Sequence, residues 1–187
     1  MKNLTRGMRS LALAAALTAG VASVAYAVDP MVGGAPMMAS KTIVENASQA
    51  KNLTTLVSAV KAAGLVDTLS GPGPFTVFAP TNEAFDKVPK AMLEKLMQPD
   101  MKADLTKILT YHVVAGKLDA AELEKDIKAG GGSYTMKTVE GGPLTARMDG
   151  SKIELIDSAG GGAIVEIPDV YQSNGVVHVI GSVLMPK

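Results

Sequence analysis

The 187-residue chain contains no cysteine. That excludes disulfide staples, a thiol nucleophile, iron–sulfur ligation and the acylated cysteine of a bacterial lipid anchor, so stability has to come from packing. Histidine occurs twice, as His112 and His178, far apart in sequence and outside His-Glu-x-x-His, Gly-x-Ser-x-Gly or any other motif with a defined mechanism. Only an oxygen-ligand metal site is then conceivable and nothing points to one, so neither metal nor cofactor is expected. An excess of basic charge is also missing, since 18 Lys and Arg balance 18 Asp and Glu. Without Lys2, Arg6 and Arg9 the balance becomes 15 − 18 = −3, which argues against a nucleic-acid binder. No later stretch approaches the ~18 apolar residues of a spanning helix.

The N-terminus carries those three basic residues, then the apolar run Leu11 to Val24 and the tripeptide Ala25-Tyr26-Ala27. This is the pattern of a secretory signal peptide over residues 1–27. Cleavage after Ala27 leaves 187 − 27 = 160 residues, enough for one domain with a sizeable core. Adjacent arginines and a C-terminal apolar tail are lacking, so twin-arginine export and a glycolipid anchor are not expected. The expected product is not membrane-spanning and is free in the periplasm or outside the cell. Residues 28–39, rich in Pro, Gly and Met without periodicity, read as a flexible leader, and residues 40–187 as the domain.

From Ser40 the pattern is helical. Thr42 and Glu45 have capping-box spacing, and Leu53, Leu56, Val57 and Val60 follow at i, i+3, i+4, i+7 before Gly64. A third helix is possible over Leu65 to Leu69. Phe75 to Ala79 is apolar on both faces, as in a strand covered on both sides, and Thr81 caps a turn holding Phe85. Further helices are predicted around Met92 to Met97, Leu105 to His112 and Ala120 to Ala129, the last opened by Asp119 and Glu122. Beyond Gly132 the period becomes two. Leu144 to Met148 and Ile153 to Leu155 form a hairpin about Asp149-Gly150, followed by strands at Ala163 to Ile167 and Val176 to Leu184, the latter entered through Asn174-Gly175. Helices first and strands second predict an α+β fold with a mainly antiparallel sheet.

Three stretches in this order resemble a fasciclin-like domain over essentially all of Ser40 to Lys187. They are Gly73-Pro74-Phe75-Thr76-Val77-Phe78-Ala79-Pro80-Thr81-Asn82-Glu83-Ala84-Phe85, then Tyr111-His112, then Asn174-Gly175-Val176-Val177-His178-Val179-Ile180 running to Leu184-Met185-Pro186. The resemblance implies a β-wedge of mainly antiparallel strands packed against a bundle of short helices. It also implies a role in cell adhesion and in matrix or surface interactions, with no family-wide catalysis. In animal relatives integrin-dependent adhesion is tied to a tyrosine-histidine segment and to an aspartate with an aliphatic residue before the last strand. The matching residues here are Tyr111-His112 and Asp169-Val170.

Each residue also has a purely structural reading. His112 shares a helical face with Leu105, Ile108 and Leu109, so burial with a ring nitrogen bonded to backbone is expected. Tyr111 either presents its hydroxyl to a partner or satisfies a backbone carbonyl. Asp169, behind the fixed φ of Pro168, is either a rigid acidic recognition point or a turn aspartate accepting from backbone amides. Phe75, Phe78 and Phe85 are assigned to the core, His178 to a central strand, and Thr81, Asn174 and Gly175 to caps and turns. Asp149-Gly150-Ser151 lacks the sixth-position glycine of a calcium loop, and the triple-glycine runs lack the setting of a phosphate cradle. The sequons at Asn46 and Asn52 fall within predicted helical segments, and no glycosylation is expected. The function expected is that of an exported binding module for a cell-surface or matrix protein or polysaccharide, with weak self-association possible through a sheet edge. The alternative is a periplasmic small-ligand or envelope-stress protein with a pocket between helices and wedge, and an enzyme ranks last.

Overall fold

The computed structural model describes residues 29–187; the expected signal peptide lies outside the described residues. The described residues open on a small hairpin, β1 (Met31–Val32) and β2 (Ala35–Pro36). Its turn is Gly33-Gly34, both at positive φ (58° and 79°), the backbone of a type I′ turn. Here the reading of residues 28–39 as a flexible leader is corrected. Val32 and Met37 are buried in the core, and Asn46 clamps Met38 by accepting from its N–H (3.1 Å) and donating to its carbonyl (2.8 Å). Two-residue strands are too short to show any period.

The helical layer follows: α1 (Ile43–Ala47), α2 (Thr54–Ala63) and α3 (Val66–Ser70). The Thr42–Glu45 capping box forms reciprocally, with the Thr42 N–H donating to Glu45 at 2.7 Å and the Glu45 N–H to Thr42 Oγ1 at 3.4 Å. Strand β3 (Phe75–Pro80) comes next, and Thr81 caps α4 (Asn82–Asp86) by accepting from the Ala84 N–H at 3.2 Å. Asn82 caps α2 from a distance: its Oδ1 accepts from the Thr55 N–H at 3.0 Å and its Nδ2 donates to the Lys51 carbonyl at 3.0 Å. Then come α5 (Lys90–Leu96), a 3-10 turn over Pro99–Met101, and α6 (Lys102–Tyr111).

The remaining elements are β4 (Val113–Ala115), α7 (Ala120–Ala129), β5 (Ser133–Lys137), β6 (Pro143–Asp149), β7 (Lys152–Ile156), β8 (Gly162–Gln172) and β9 (Gly175–Ile180). The sheet runs β4-β3-β9-β8-β7-β6-β5 and is antiparallel except for the parallel pair β3 and β9. Val139 N–H reaches back to the Val113 carbonyl at 2.7 Å and Val114 bridges Thr138, so the sheet curls nearly into a barrel. Val77 and Ala79 of β3 face the helices, while Phe78 points into the curl, where α7 closes a second core with Leu123 and Ile127. This double burial is why β3 and β9 are apolar at every position except Thr76 and His178.

Three strand expectations change. The last strand stops at Ile180 rather than Leu184, and β4 and β5 join the sheet without having been foreseen. Gly175 is not at positive φ; the hairpin loop is Ser173-Asn174, and a Cβ on Gly175 would lie 2.0 Å from the Phe75 carbonyl oxygen. Close approach of β3, not turn geometry, requires glycine there.

Candidate functional site

Tyr111 and His112, one of the two segments expected to meet a partner, are buried. At the end of α6 the Tyr111 hydroxyl donates to the Pro143 carbonyl (2.6 Å) and accepts from the Ser158 N–H (2.9 Å), joining helix to sheet. His112 Nδ1 bonds the Ile108 carbonyl (2.8 Å), and Nε2 accepts from the Leu184 N–H (3.0 Å), pinning the C-terminal segment. Both partners can be satisfied only by the neutral ring with its proton on Nδ1. Burial lowers its pKa to about 4, against the opposing pulls of the Ile108 carbonyl and Asp157. Neither side chain is exposed, so each follows its structural reading, and the recognition role that the resemblance implies for them finds no accessible group here. Tyr111→Phe is expected to cost about 2 kcal/mol, because it leaves one buried carbonyl and one N–H without a partner. Urea unfolding checks this; a change below about 0.5 kcal/mol would mean that water replaces the hydroxyl.

The second segment is not a turn before the last strand. Asp169 and Val170 lie within β8, where Ile167 faces Val179 and Val170 faces Val177, so one extra residue bulges out. Val170 is buried against the helical layer, which removes it from the expected contact residues. Asp169 is half-buried, with φ at 58°, the one non-glycine residue at positive φ among the described residues. That conformation favours glycine, with Asp and Asn tolerated. Two bonds hold it. Its N–H donates to His178 Nδ1 (3.3 Å), and its Oδ1 accepts from the Ala120 N–H (2.7 Å) at the start of α7. His178 in turn bonds the Leu118 carbonyl through Nε2 (2.8 Å) and stacks on Phe78 at 5.6 Å. Burial lowers the pKa of His178 too, so this ring is neutral with its proton on Nε2.

Around the bulge lie residues that sequence inspection did not single out as contacts. Asp119 caps α7 by accepting from the Glu122 N–H (2.9 Å), and its other oxygen accepts from the Tyr171 hydroxyl (3.4 Å). Tyr171 is 39% exposed, and Lys117 Nζ sits 4.6 Å from its ring centroid, a cation–π pair. Partial burial with Asp169 and Asp119 nearby raises the Tyr171 pKa, so its hydroxyl stays protonated. The result is an outward face of Lys117, Asp119, Asp169 and Tyr171, positioned by the α7 N-terminus and the β8 bulge.

All four ring nitrogens of the two histidines are committed to backbone groups, so neither ring has a free nitrogen to act as a proton-transfer base in this arrangement. Among the described residues no group of three His, Asp or Glu side chains could hold a metal ion, and no helix is long and apolar enough to cross a membrane. Between helices and sheet lies an apolar cavity lined by Val57, Val60, Leu69, Val77, Leu109 and His112. Its volume is about 30 Å³. Small-molecule pockets run to roughly 300–1,000 Å³.

The fasciclin domain model matches residues 51–186. The chain belongs to the fasciclin domain family. Among curated relatives of this fasciclin domain, Protein sll1483 of Synechocystis sp. is 43% identical over 156 residues, covering 83% of this chain and 79% of that protein. The cell surface glycolipoprotein MPB83 of Mycobacterium bovis is 36% identical over 159 residues, covering 82% of this chain and 64% of its own length. Among solved structures, a FAS1 domain pair from the insect cell adhesion molecule fasciclin I superposes with a TM-score of 0.70 at 20% identity, over 78% of this chain and 51% of that one. This likeness establishes the fold, with this chain spanning about half of the pair. The α+β architecture implied by the sequence resemblance is thereby confirmed.

Proposed function

We propose that this fasciclin domain is a non-catalytic binding module, exported through the segment 1–27, that attaches to a cell-surface or matrix protein or polysaccharide through the Lys117, Asp119, Asp169 and Tyr171 face. The observation that carries the reading is Asp169. A left-handed aspartate is sterically costly, and two hydrogen bonds, from its own N–H to the His178 ring and from the Ala120 N–H to its carboxylate, hold it beside an exposed tyrosine whose ring is braced by Lys117. Rigid aromatic and charged groups lose little entropy on binding and dominate contact energies where they occur. The naming of MPB83 as a cell surface protein and of fasciclin I as a cell adhesion molecule supports the same class of role. The small volume of the apolar cavity between helices and sheet speaks against a small ligand held there.

The test is competition. Cells, bacterial and animal, are allowed to attach to wells coated with the protein, and soluble protein is added as competitor; the mass of the exported material checks that it begins at Val28. Wild-type competitor is expected to block attachment. Tyr171→Ala and Asp169→Asn should each need about five- to thirtyfold more protein, the equivalent of one to two kcal/mol. Asparagine keeps the oxygen that accepts from Ala120 and tolerates positive φ, so it isolates the charge, whereas alanine would also lose the α7 contact. Absence of attachment to wild type, or variants that compete equally well, would contradict the reading.

A further inference from the structure

A cleft of about 320 Å³ lies between α5, α6 and the C-terminal segment. Met92, Met101 and Met185 line it, from three separate parts of the chain, together with Leu96, Ile108 and Pro186. We propose that this cleft is a thioether site for a soft monovalent d10 cation, Cu(I) or Ag(I). Thioether sulfur is a neutral, polarisable donor that prefers such ions to Mg²⁺, Ca²⁺ or Zn²⁺.

Three further observations support it. Cysteine is absent and both histidines have their nitrogens bonded to backbone, so the soft donors left are methionines, and three of the eleven meet at this cleft. Met92 is 45% exposed, so its sulfur is not needed to fill the core. Leucine would cover the same apolar surface; methionine adds the sulfur and three rotatable bonds that let side chains converge. Met185 is placed by the backbone around it, because its N–H donates to Asp157 Oδ2 (2.9 Å) while the preceding Leu184 N–H is held by His112.

The local charge is compatible with a cation. Lys107 lines the same cleft, but its ammonium donates to the Lys187 carbonyl (2.8 Å) and lies 3.9 Å from Glu140. Asp104 lines the cleft too and has no ion-pair partner among the described residues, so its carboxylate offsets the charge of a bound ion.

The experiment is a titration of the purified, methyl-labelled protein with Ag(I), followed through the methionine methyl resonances. The methyls of Met92, Met101 and Met185 are expected to shift together and saturate near one equivalent, while those of Met136 and Met148 in the sheet stay fixed. Under anaerobic conditions Cu(I) should be drawn from a chromophoric chelator. Met92→Leu and Met185→Leu, volume-conserving changes that leave the fold intact, should each weaken the competition by at least about tenfold, the size of effect seen when a metal site loses a supporting group. A saturable shift confined to other methionines, no saturable shift at all, or leucine variants that compete as well as wild type would each overturn the site.

Discussion

Replacing Asn174 with alanine is expected to lower the unfolding free energy by about 3–5 kcal/mol, the upper range for single substitutions. This buried side chain sits in the Ser173-Asn174 loop that joins β8 to β9. Its Oδ1 accepts from the Ile43 N–H (3.0 Å) at the start of α1, and its Nδ2 donates to the carbonyls of Leu69 (2.8 Å) and Gly71 (3.0 Å) at the end of α3. One amide therefore fastens two short helices to the central hairpin. Alanine would leave an N–H and two carbonyls without partners, each costing about 1–3 kcal/mol less whatever water recovers. Asn174→Asp should be no better, since it keeps the acceptor for Ile43 but turns an oxygen toward two carbonyls. Urea midpoints with unchanged slopes would give the figure. A loss below about 1 kcal/mol would show that α1 and α3 are held by apolar packing alone.

The second large effect is acid sensitivity. His112 titrates at about 4 in the folded chain against 6.5 for the free side chain. The folded state favours the neutral ring, so between these values the unfolded chain binds more protons and stability rises with pH. The contribution is therefore fully present above about pH 6.5 and is lost progressively as the pH falls toward 4. At about 1.4 kcal/mol per pH unit, the loss across that window is on the order of 3 kcal/mol. His178, also lowered by burial, acts in the same direction. The geometry gives the same sign, because a protonated Nε2 on His112 would confront the Leu184 N–H with a second donor. Carboxylates titrate near the lower end of this range, so the comparison is with His112→Phe. The variant is expected to be less stable at pH 7 yet to lose less of its remaining stability by pH 4.5. Equal pH slopes for the two proteins would mean that the unfolded histidine does not gain its proton in this window.

Much of this architecture could be read from residue pattern. The caps at Thr42, Thr81 and Asp119 are local, needing only an oxygen three residues before an N–H, and each forms as its spacing implies. Strands β3 and β9 show double burial in runs that are apolar except at Thr76 and His178. Strand β4 is three residues long and β1 and β2 are two, shorter than any period that could reveal them. The only local trace of the opening hairpin is Gly33-Gly34, a I′ turn signal easily lost in a glycine-rich stretch.

The candidate site was less legible, for physical reasons. Pro168 and Asp169 together suggest a turn, yet β9 pairs with β8 on both sides of them and converts the irregularity into a bulge. Tyr171 and Asp119 are 52 residues apart, and only the docking of α7 against β8 brings them together. For Tyr111 and His112 the residue pattern and the family resemblance point in different directions. The face that His112 shares with Leu105, Ile108 and Leu109 implies its burial, and only the resemblance implies display; the distant partners Pro143, Ser158 and Leu184 are what the pattern around α6 cannot anticipate.

In the proposed mode of attachment the Asp169 bulge face, and not the buried Tyr111-His112 segment, makes the contact. The most direct test counts cells retained under fixed shear on equal coatings of wild type, a Lys117→Ala/Asp169→Asn/Tyr171→Ala triple variant and Tyr111→Phe, all well below their melting temperatures. The account predicts that the triple variant loses attachment while Tyr111→Phe retains it despite its lower stability. Retention by the triple variant with loss in Tyr111→Phe would contradict it.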